Sequence, residues 1–302
     1  MTAEIQLLDE RFRRIVEPDA TLVRIADGMG FTEGCAWVHD GGYLVWSDIP
    51  NDRIMRWSES DGVGVLREPS RNANGNALDA NGYLLTCETS GRRVSIARPG
   101  EPETTLVDSY GGVPLTSPND VVVKSDGSVW FSDPDYGALM SDQGHGEPSQ
   151  QDRNRVYRLD RSTGELTAVA EDFDKPNGLA FSPDESVLYI SDSGFTHGAE
   201  RPHHVRAFDV EDGSRLTHSR IICEVSPHVP DGLRVDTDGN LYVASGDGVQ
   251  VFTSDGEMLG KFLTPEIAAN CCFGMADRRT LFICATSSVW MVRVISTGAY
   301  PF

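Results

Sequence analysis

The sequence predicts an all-β protein: a six-bladed β-propeller with four antiparallel strands in each blade and a ring closed by an N-terminal strand. The first observation behind this prediction is a pattern that recurs six times, a polar residue followed by a short alternating strand, a turn and a second apolar strand. The second is that each copy is followed by a third alternating run and usually by a fourth. Four strands in each unit of about 40 to 50 residues are typical of propeller blades.

The six copies share a turn between two strand-like runs, and most of these turns contain Gly, which tolerates the conformations that tight turns require. The copies are FTEGCAWVHDGGYLVWSD (31–48), NANGNALDANGYLLTCE (72–88), SPNDVVVKSDGSVWFSD (117–133), KPNGLAFSPDESVLYISD (175–192), VPDGLRVDTDGNLYVAS (229–245) and AANCCFGMADRRTLFICAT (268–286). Third runs such as DRIMRW (52–57) continue the period-2 alternation of β-strands.

The chain ends before the last copy can form a fourth strand, whereas the apolar run TLVRIAD (21–27) precedes the first copy. We therefore expect the N-terminal run to complete the last blade. On this interpretation residues 1–302 form a single six-bladed propeller domain.

The charge of the chain excludes some partners. Lys and Arg number 26 against 46 Asp and Glu, and the resulting net charge of −20 disfavours nucleic acids and anionic membrane surfaces. The N-terminus lacks the pattern of a signal peptide, so we expect a cytoplasmic protein. The 6 cysteines are scattered through apolar runs without a C-x-x-C pair, which predicts buried free thiols.

One polar residue stands at the equivalent position of every copy, near the start of the first strand. These six anchors are Glu33, Asn74, Asn119, Asn177, Asp231 and Asn270. Because the first strand of each blade lines the central channel, the anchors should form a ring. Buried carboxylates and amides are costly unless something satisfies their oxygens. Alternatively, each anchor only bonds neighbouring backbone N–H groups, as Asn and Asp often do.

A divalent cation would satisfy such a ring, since one Glu, one Asp and four Asn have a formal charge of −2. Oxygen donors without His or Cys favour Ca²⁺, with Mg²⁺, Mn²⁺ or Zn²⁺ as alternatives. We expect Glu33, Asn177 and Asp231 to bind the metal and Asn119 to lie beside it. Asn74 and Asn270 would form an outer, structural part of the ring.

Motifs along nearly the whole chain resemble the family of SMP-30, gluconolactonase and luciferin-regenerating enzyme. They include TEG (32–34), SPNDVVVKSDGSVWFSDPDYG (117–137), KPNGLAFSPDESVLYISDSG (175–194) and NCCFG (270–274). The resemblance implies a six-bladed propeller with one divalent metal, held at the positions of Glu33, Asn177 and Asp231, and a substrate contact at Asn119. After NCCFG the family commonly has Gly-Pro-Asp, whereas this chain has Met275-Ala276-Asp277, a change in a turn.

The resemblance further implies hydrolysis of a sugar lactone or small aliphatic lactone, for which Asp231 would also be the catalytic base. Asp133, Asp135 and Tyr136 follow the second strand of the third copy and are candidate substrate contacts, although Asp133 has counterparts in other copies. Polar insertions at 135–154 and 194–204 are candidate rims of the site. The alternatives are a phosphotriesterase that uses the same metal site, and a non-catalytic propeller with a structural ion.

Overall fold

The computed structural model describes residues 3–299 and shows a six-bladed β-propeller, which confirms the predicted fold. Six antiparallel sheets form the blades; in five of them four strands follow chain order from the inner to the outer strand, in the sixth the outer strand comes from the N-terminal segment, and one sheet carries a fifth strand. The alternating runs become strands because they place apolar side chains on both sheet faces, where they pack between neighbouring blades.

The strands follow the six repeats. Blade 1 comprises Thr32–Val38, Tyr43–Asp48, Arg53–Ser58 and Gly62–Arg67. Blade 2 comprises Ala73–Leu78, Leu84–Glu88, Arg93–Ala97 and Thr104–Val107. Blade 3 comprises Val121–Val123, Val129–Asp133, Arg155–Asp160 and Glu165–Ala170. Blade 4 comprises Pro176–Phe181, Val187–Asp192, His204–Glu211 and Arg215–Glu224. Blade 5 begins with Leu233–Val235, Leu241–Ser245, Gly248–Phe252 and Met258–Leu263. Blade 6 contains Ala268–Gly274, Thr280–Ala285 and Ser288–Arg293.

The N-terminal segment closes the ring, as expected, and also adds a strand to blade 5. Val23–Asp27 pairs antiparallel with Ser288–Arg293 and supplies the outer strand of blade 6. Glu4–Leu7 pairs with Met258–Leu263 and gives blade 5 a fifth strand. The 3₁₀ helix Glu10–Arg14 lies between these two strands and buries Phe12 against Phe262, with ring centroids 5.5 Å apart.

Three small elements lie outside the blades. Ser109–Tyr110 and Val113–Pro114 form a short hairpin between blades 2 and 3. The helix Tyr136–Leu139 and the 3₁₀ helix Gly194–His197 lie in the two predicted insertions. No helix within residues 3–299 is long and apolar enough to cross a bilayer.

Apolar side chains pack between neighbouring blades. Trp37 of blade 1 stacks on Phe282 of blade 6 at 5.5 Å, and Trp130 of blade 3 meets the Phe181 ring of blade 4 edge-on at 5.4 Å. All six cysteines are buried and free, as predicted. The blades are therefore fixed relative to one another by aromatic contacts, which holds the inner strands in a constant arrangement around the axis.

A candidate metal centre at one end of the axial channel

All six anchors lie at the start of an inner strand, where the ladder to the second strand is irregular. The register shifts between Glu33 and Ala36, between Ala73 and Asn76, and between Pro176 and Leu179, with a similar shift in blade 6. In blades 3 and 5 the regular strand begins only after the anchor. Irregularities of this kind change the direction of side chains at the end of a strand.

Glycine next to the anchor allows the inner strands to approach closely. A Cβ atom at Gly34 would lie 2.0 Å from the carbonyl oxygen of Asn74 in the next blade, and one at Gly178 would lie 2.4 Å from that of Asp231. Gly75 is similarly close to the carbonyl oxygen of Asn119 and donates a backbone hydrogen bond of 2.7 Å to it. The Gly after the anchor is therefore required because no side chain fits between the blades.

The backbone of the anchors is held by the second strand of the preceding blade. The hydroxyl of Ser47 donates to the carbonyl oxygen of Asn74 at 2.6 Å, and that of Ser191 donates to the carbonyl oxygen of Asp231 at 2.8 Å. Because these hydroxyls bind the backbone carbonyl oxygens of the anchors, the anchor side chains are left to bind other groups.

The structure brings Glu33, Asn177, Asp231 and Asn270 together. The Nδ2 group of Asn270 donates to Oε2 of Glu33 at 2.8 Å, and the backbone N–H of Gly34 donates to the same oxygen at 2.5 Å. The amide of Asn177 interacts with the Asp231 carboxylate and lowers its pKa, although burial has the larger and opposite effect. Glu33 is buried, whereas Asp231 is partly exposed.

The carboxylates of the ring interact unfavourably with one another. Burial raises the pKa of Asp231 to about 8, and the neighbouring charge of Asp120 contributes to this rise. Burial and the charges of Asp231 and Asp120 raise the pKa of Glu33 well above its usual range. Both groups would be more stable with positive charge beside them.

The remaining amides differ in their environment. The Oδ1 atom of Asn74 is buried and accepts no hydrogen bond within residues 3–299. The side-chain amide of Asn119 makes no hydrogen bond in the same part of the chain, while its backbone N–H donates to Ser132 at 2.9 Å. The buried Oδ1 atom of Asn74 and the side-chain oxygen of Asn119 are therefore available to a cation, and hard cations prefer oxygen ligands of this kind.

Four of the six anchors are Asn, so most of the candidate metal ligands are amide oxygens. Within residues 3–299 there is no group of three or more His, Cys, Asp or Glu side chains that could hold a metal ion by themselves. Glu33 and Asp231 would have to share the ion with amide oxygens, and the residues present fit a cation with that ligand preference.

The carboxylate of Asp133 binds the backbone of the loop before Asn119. One of its carboxylate oxygens accepts the backbone N–H of Thr116 at 2.9 Å and the other accepts that of Ser117 at 2.6 Å. Asp192 in blade 4 accepts two backbone N–H groups in the same manner. Burial raises the pKa of Asp133 to about 7. We propose that Asp133 holds the loop before Asn119 and does not contact substrate.

Asp135 and Tyr136 lie at the anchor end of the channel, where the insertions follow the second strands of blades 3 and 4. Asp135 forms an ion pair with Lys175 and accepts a hydrogen bond of 3.2 Å from Asn154. The Tyr136 hydroxyl lies 3.2 Å from the hydroxyl of Thr196, so the two insertions meet. Burial raises the pKa of Tyr136, and the charge of Asp231 contributes to this rise.

The inner strands also enclose a cavity of about 80 Å³ on the other side of the ring, away from the insertions. Cys35, Asn76, Val122, Ala180, Arg234 and Cys272 contribute to its walls.

Arg234 and Asp120 were not among the predicted site residues. Both depart from the pattern of the repeat, and comparison of the positions after the anchor could have identified them.

Comparison with known proteins identifies the family of this chain. The family model described as "SMP-30/Gluconolactonase/LRE-like region" matches residues 31–287. A gluconolactonase from Zymomonas mobilis is 28% identical, with 98% of this chain and 87% of the relative covered. The solved structure of a gluconolactonase from Xanthomonas campestris is 36% identical and superposes with a TM-score of 0.90, covering 96% of this chain and 94% of the other.

A regucalcin from Agrobacterium tumefaciens, described as a calcium-binding protein, is 16% identical and has a TM-score of 0.72, with 97% of this chain and 95% of the other covered; this likeness shows the fold alone. The family model covers all six repeats, from the first strand of blade 1 into blade 6. The chain belongs to the SMP-30/gluconolactonase/LRE-like family.

Proposed function

We propose that the protein is a lactonase that depends on one divalent cation and hydrolyses a sugar lactone or small aliphatic lactone to the hydroxy acid. The observation that carries this proposal is that two carboxylates with raised pKa values, Glu33 and Asp231, lie together in a ring of amides in which the buried Oδ1 atom of Asn74 accepts no hydrogen bond within residues 3–299. The Zymomonas mobilis relative and the Xanthomonas campestris structure are both named gluconolactonases, which supports a lactone as substrate.

Glu33, Asn177 and Asp231 would hold the cation, with Asn119 beside it. A cation bound there would supply positive charge that polarises the carbonyl oxygen of the ester. Ca²⁺ is the ion we expect first, because the donors are all oxygen, and the description of the Agrobacterium tumefaciens regucalcin as calcium-binding supports this choice.

Asp231 is the group best placed to act as general base. Asp231 is partly exposed, and as a carboxylate beside the cation it is within reach of a water molecule bound there. During hydrolysis a water molecule attacks the carbonyl carbon, Asp231 accepts the proton of that water, and the ring C–O bond breaks. The leaving alkoxide takes up a proton, which yields the hydroxy acid.

Tyr136 and Asn119 are the proposed substrate contacts. The phenol of Tyr136 lies at the junction of the two insertions and close to Asp231, so it can border the lactone. Asp135 would act indirectly, because its carboxylate is paired with Lys175. The partner of the protein is then a small-molecule lactone.

A lactone panel tests the proposal. The full-length protein is treated with chelator, and acid release from aldonolactones and aliphatic lactones is followed at constant pH after addition of Ca²⁺, Mg²⁺, Mn²⁺ or Zn²⁺. We expect turnover that requires the added ion and is lost in Asp231→Ala with the fold retained. Absence of turnover with every lactone and ion, by a folded protein that binds the ion, would contradict the proposal and favour a structural ion.

A further inference from the structure

We propose that Asp120 and Arg234 form a buried charge pair next to the ring and that this pair sets the net charge offered to the cation at −2. The pair would thereby favour a divalent over a trivalent ion. This inference rests on the proposed function, because it assumes that the ring binds a cation.

Asp120 and Arg234 both depart from the repeat pattern. The residue after the anchor is Gly in four blades, Asp120 in blade 3 and Cys271 in blade 6. The residue three positions after the anchor is apolar in five blades and Arg234 in blade 5. Asp120 is the only acidic residue directly after an anchor, and Arg234 is the only basic residue three positions after an anchor. The two departures from the repeat therefore carry opposite charges.

The structure brings these two side chains together. Oδ2 of Asp120 lies 3.6 Å from Nη1 of Arg234, and the two side chains are 2% and 14% exposed. Oδ1 of Asp120 accepts the backbone N–H of Val121 at 2.9 Å, whereas Oδ2 has no hydrogen bond within residues 3–299. Nη1 of Arg234 also donates to the carbonyl oxygen of Leu233 at 2.7 Å. A guanidinium keeps its proton at any ordinary pH, so it provides a permanent counter-charge.

The charges of the site then balance. A Cβ atom at Gly75, next to the anchor Asn74, would lie 2.6 Å from Oδ1 of Asp120, so the Asp120 carboxylate lies beside the ring, and its charge acts on both Glu33 and Asp231. Arg234 reduces their formal charge from −3 to −2, which a divalent ion neutralises. Without Arg234 the site would suit a trivalent ion better, and without Asp120 it would carry only −1.

Cys35 offers a rival partner for the guanidinium. Arg234 interacts electrostatically with Cys35 as well as with Asp120. If a Cys35 thiolate were the true counter-charge, removal of Cys35 and not of Asp120 would change the cation preference. The variant Cys35→Ala therefore belongs in the test.

The experiment measures Ca²⁺ and Tb³⁺ binding to chelator-treated full-length protein by calorimetry, for wild type, D120N, R234Q, D120N/R234Q and C35A. We expect D120N to weaken Ca²⁺ binding roughly ten- to thirty-fold, since a unit charge is lost within several ångströms of the ion. R234Q should shift the ratio of Tb³⁺ to Ca²⁺ affinity by a similar factor in favour of Tb³⁺. The double variant should return to within about threefold of wild type, because both charges are gone.

A matched control pair lies away from the ring. Asp79 and Arg161 form an ion pair of 2.7 Å, with the Asp79 side chain 3% exposed, and D79N/R161Q should leave both affinities unchanged. R234K, which keeps the charge, should remain close to wild type. Circular dichroism and thermal melts show whether each variant is folded; R234M replaces R234Q and D120S replaces D120N if either of these variants unfolds.

The outcomes separate the inference from the proposed function. Failure of wild type to bind any cation would overturn the proposed function. A wild type that binds Ca²⁺ while the single variants keep its affinities would overturn the pair alone. Loss of Ca²⁺ binding in D120N that R234Q does not restore would make Asp120 a ligand. Weaker Ca²⁺ binding in C35A, without the expected weakening in D120N, would make Cys35 the partner of Arg234. Each result would overturn the inference.

Discussion

The Nδ2 group of Asn270 donates a hydrogen bond of 2.8 Å to the Glu33 carboxylate and so joins the last blade to the first. The two residues are 237 positions apart in the chain. A contact that joins the ends of the ring therefore also fixes one of the two carboxylates at the proposed metal centre.

Asn270→Ala should weaken the cation site without removing a proposed ligand. Glu33 would keep only the backbone N–H of Gly34 as a donor to Oε2 and would become less well oriented. We expect cation affinity to fall about ten- to a hundred-fold, as is typical when a partner of a metal ligand is lost. Calorimetric titration checks this, and a variant with unchanged affinity would show that the hydrogen bond does not orient Glu33.

Asp231→Asn should remove catalysis and retain the fold. Loss of a general base reduces turnover by roughly 10²- to 10⁴-fold. Asp133→Asn is a suitable comparison, because the Asp133 carboxylate binds backbone N–H groups, so its loss should reduce thermal stability more than the activity of the remaining folded protein. Initial rates corrected for the folded fraction measure both effects; equal activity losses in the two variants would contradict these assignments.

The stability of the cation-free protein should fall as the pH rises. The pKa of Asp231 is about 8 in the folded protein and has a reference value of 3.8, so between these values the folded state binds more protons than the unfolded state. Stability due to this group is therefore present at low pH and is lost as the pH approaches 8. Thermal melts in chelator, compared between wild type and Asp231→Asn, isolate the effect. A wild-type curve parallel to that of the variant would argue against the raised pKa.

Cation binding should release protons and become tighter with increasing pH. Because Asp231 and Glu33 have raised pKa values without a cation, the ion must displace protons below about pH 8. The apparent affinity should change by up to about tenfold per pH unit for each proton displaced. Calorimetry in two buffers of different ionisation enthalpy counts these protons, and a count of zero near neutral pH would contradict the prediction.

Gly178→Ala should disturb the junction between blades 4 and 5. Its Cβ would lie 2.4 Å from the carbonyl oxygen of Asp231, so the blades must separate or the backbone must shift. We expect a loss of about 1–3 kcal/mol in the free energy of unfolding together with weaker cation binding. Gly64→Ala is the control, since the nearest atom to its added Cβ would be 3.6 Å away. Denaturant unfolding compares the two, and equal stabilities would argue against the close approach.

The fold could be predicted in detail because each blade repeats the same turn and the same alternation, which depend on local sequence. Glu4–Leu7 was missed, since four residues of alternating sequence without a turn do not indicate a strand, and its partner lies more than 250 positions away. The anchors could be found because they occupy one position of the repeat. The proximity of Asp120 and Arg234 depends on the packing of blade 3 against blade 5 across the axis, which local sequence does not reveal.

The closure of the propeller by residues 4–27 has a consequence for biosynthesis. Glu4–Leu7 and Val23–Asp27 pair with strands more than 250 positions later in the chain, so these two segments stay unpaired until those strands have been translated. Such long-range pairing slows folding and prolongs the exposure of unpaired strand edges. Nascent chains should therefore depend on chaperones until blades 5 and 6 emerge.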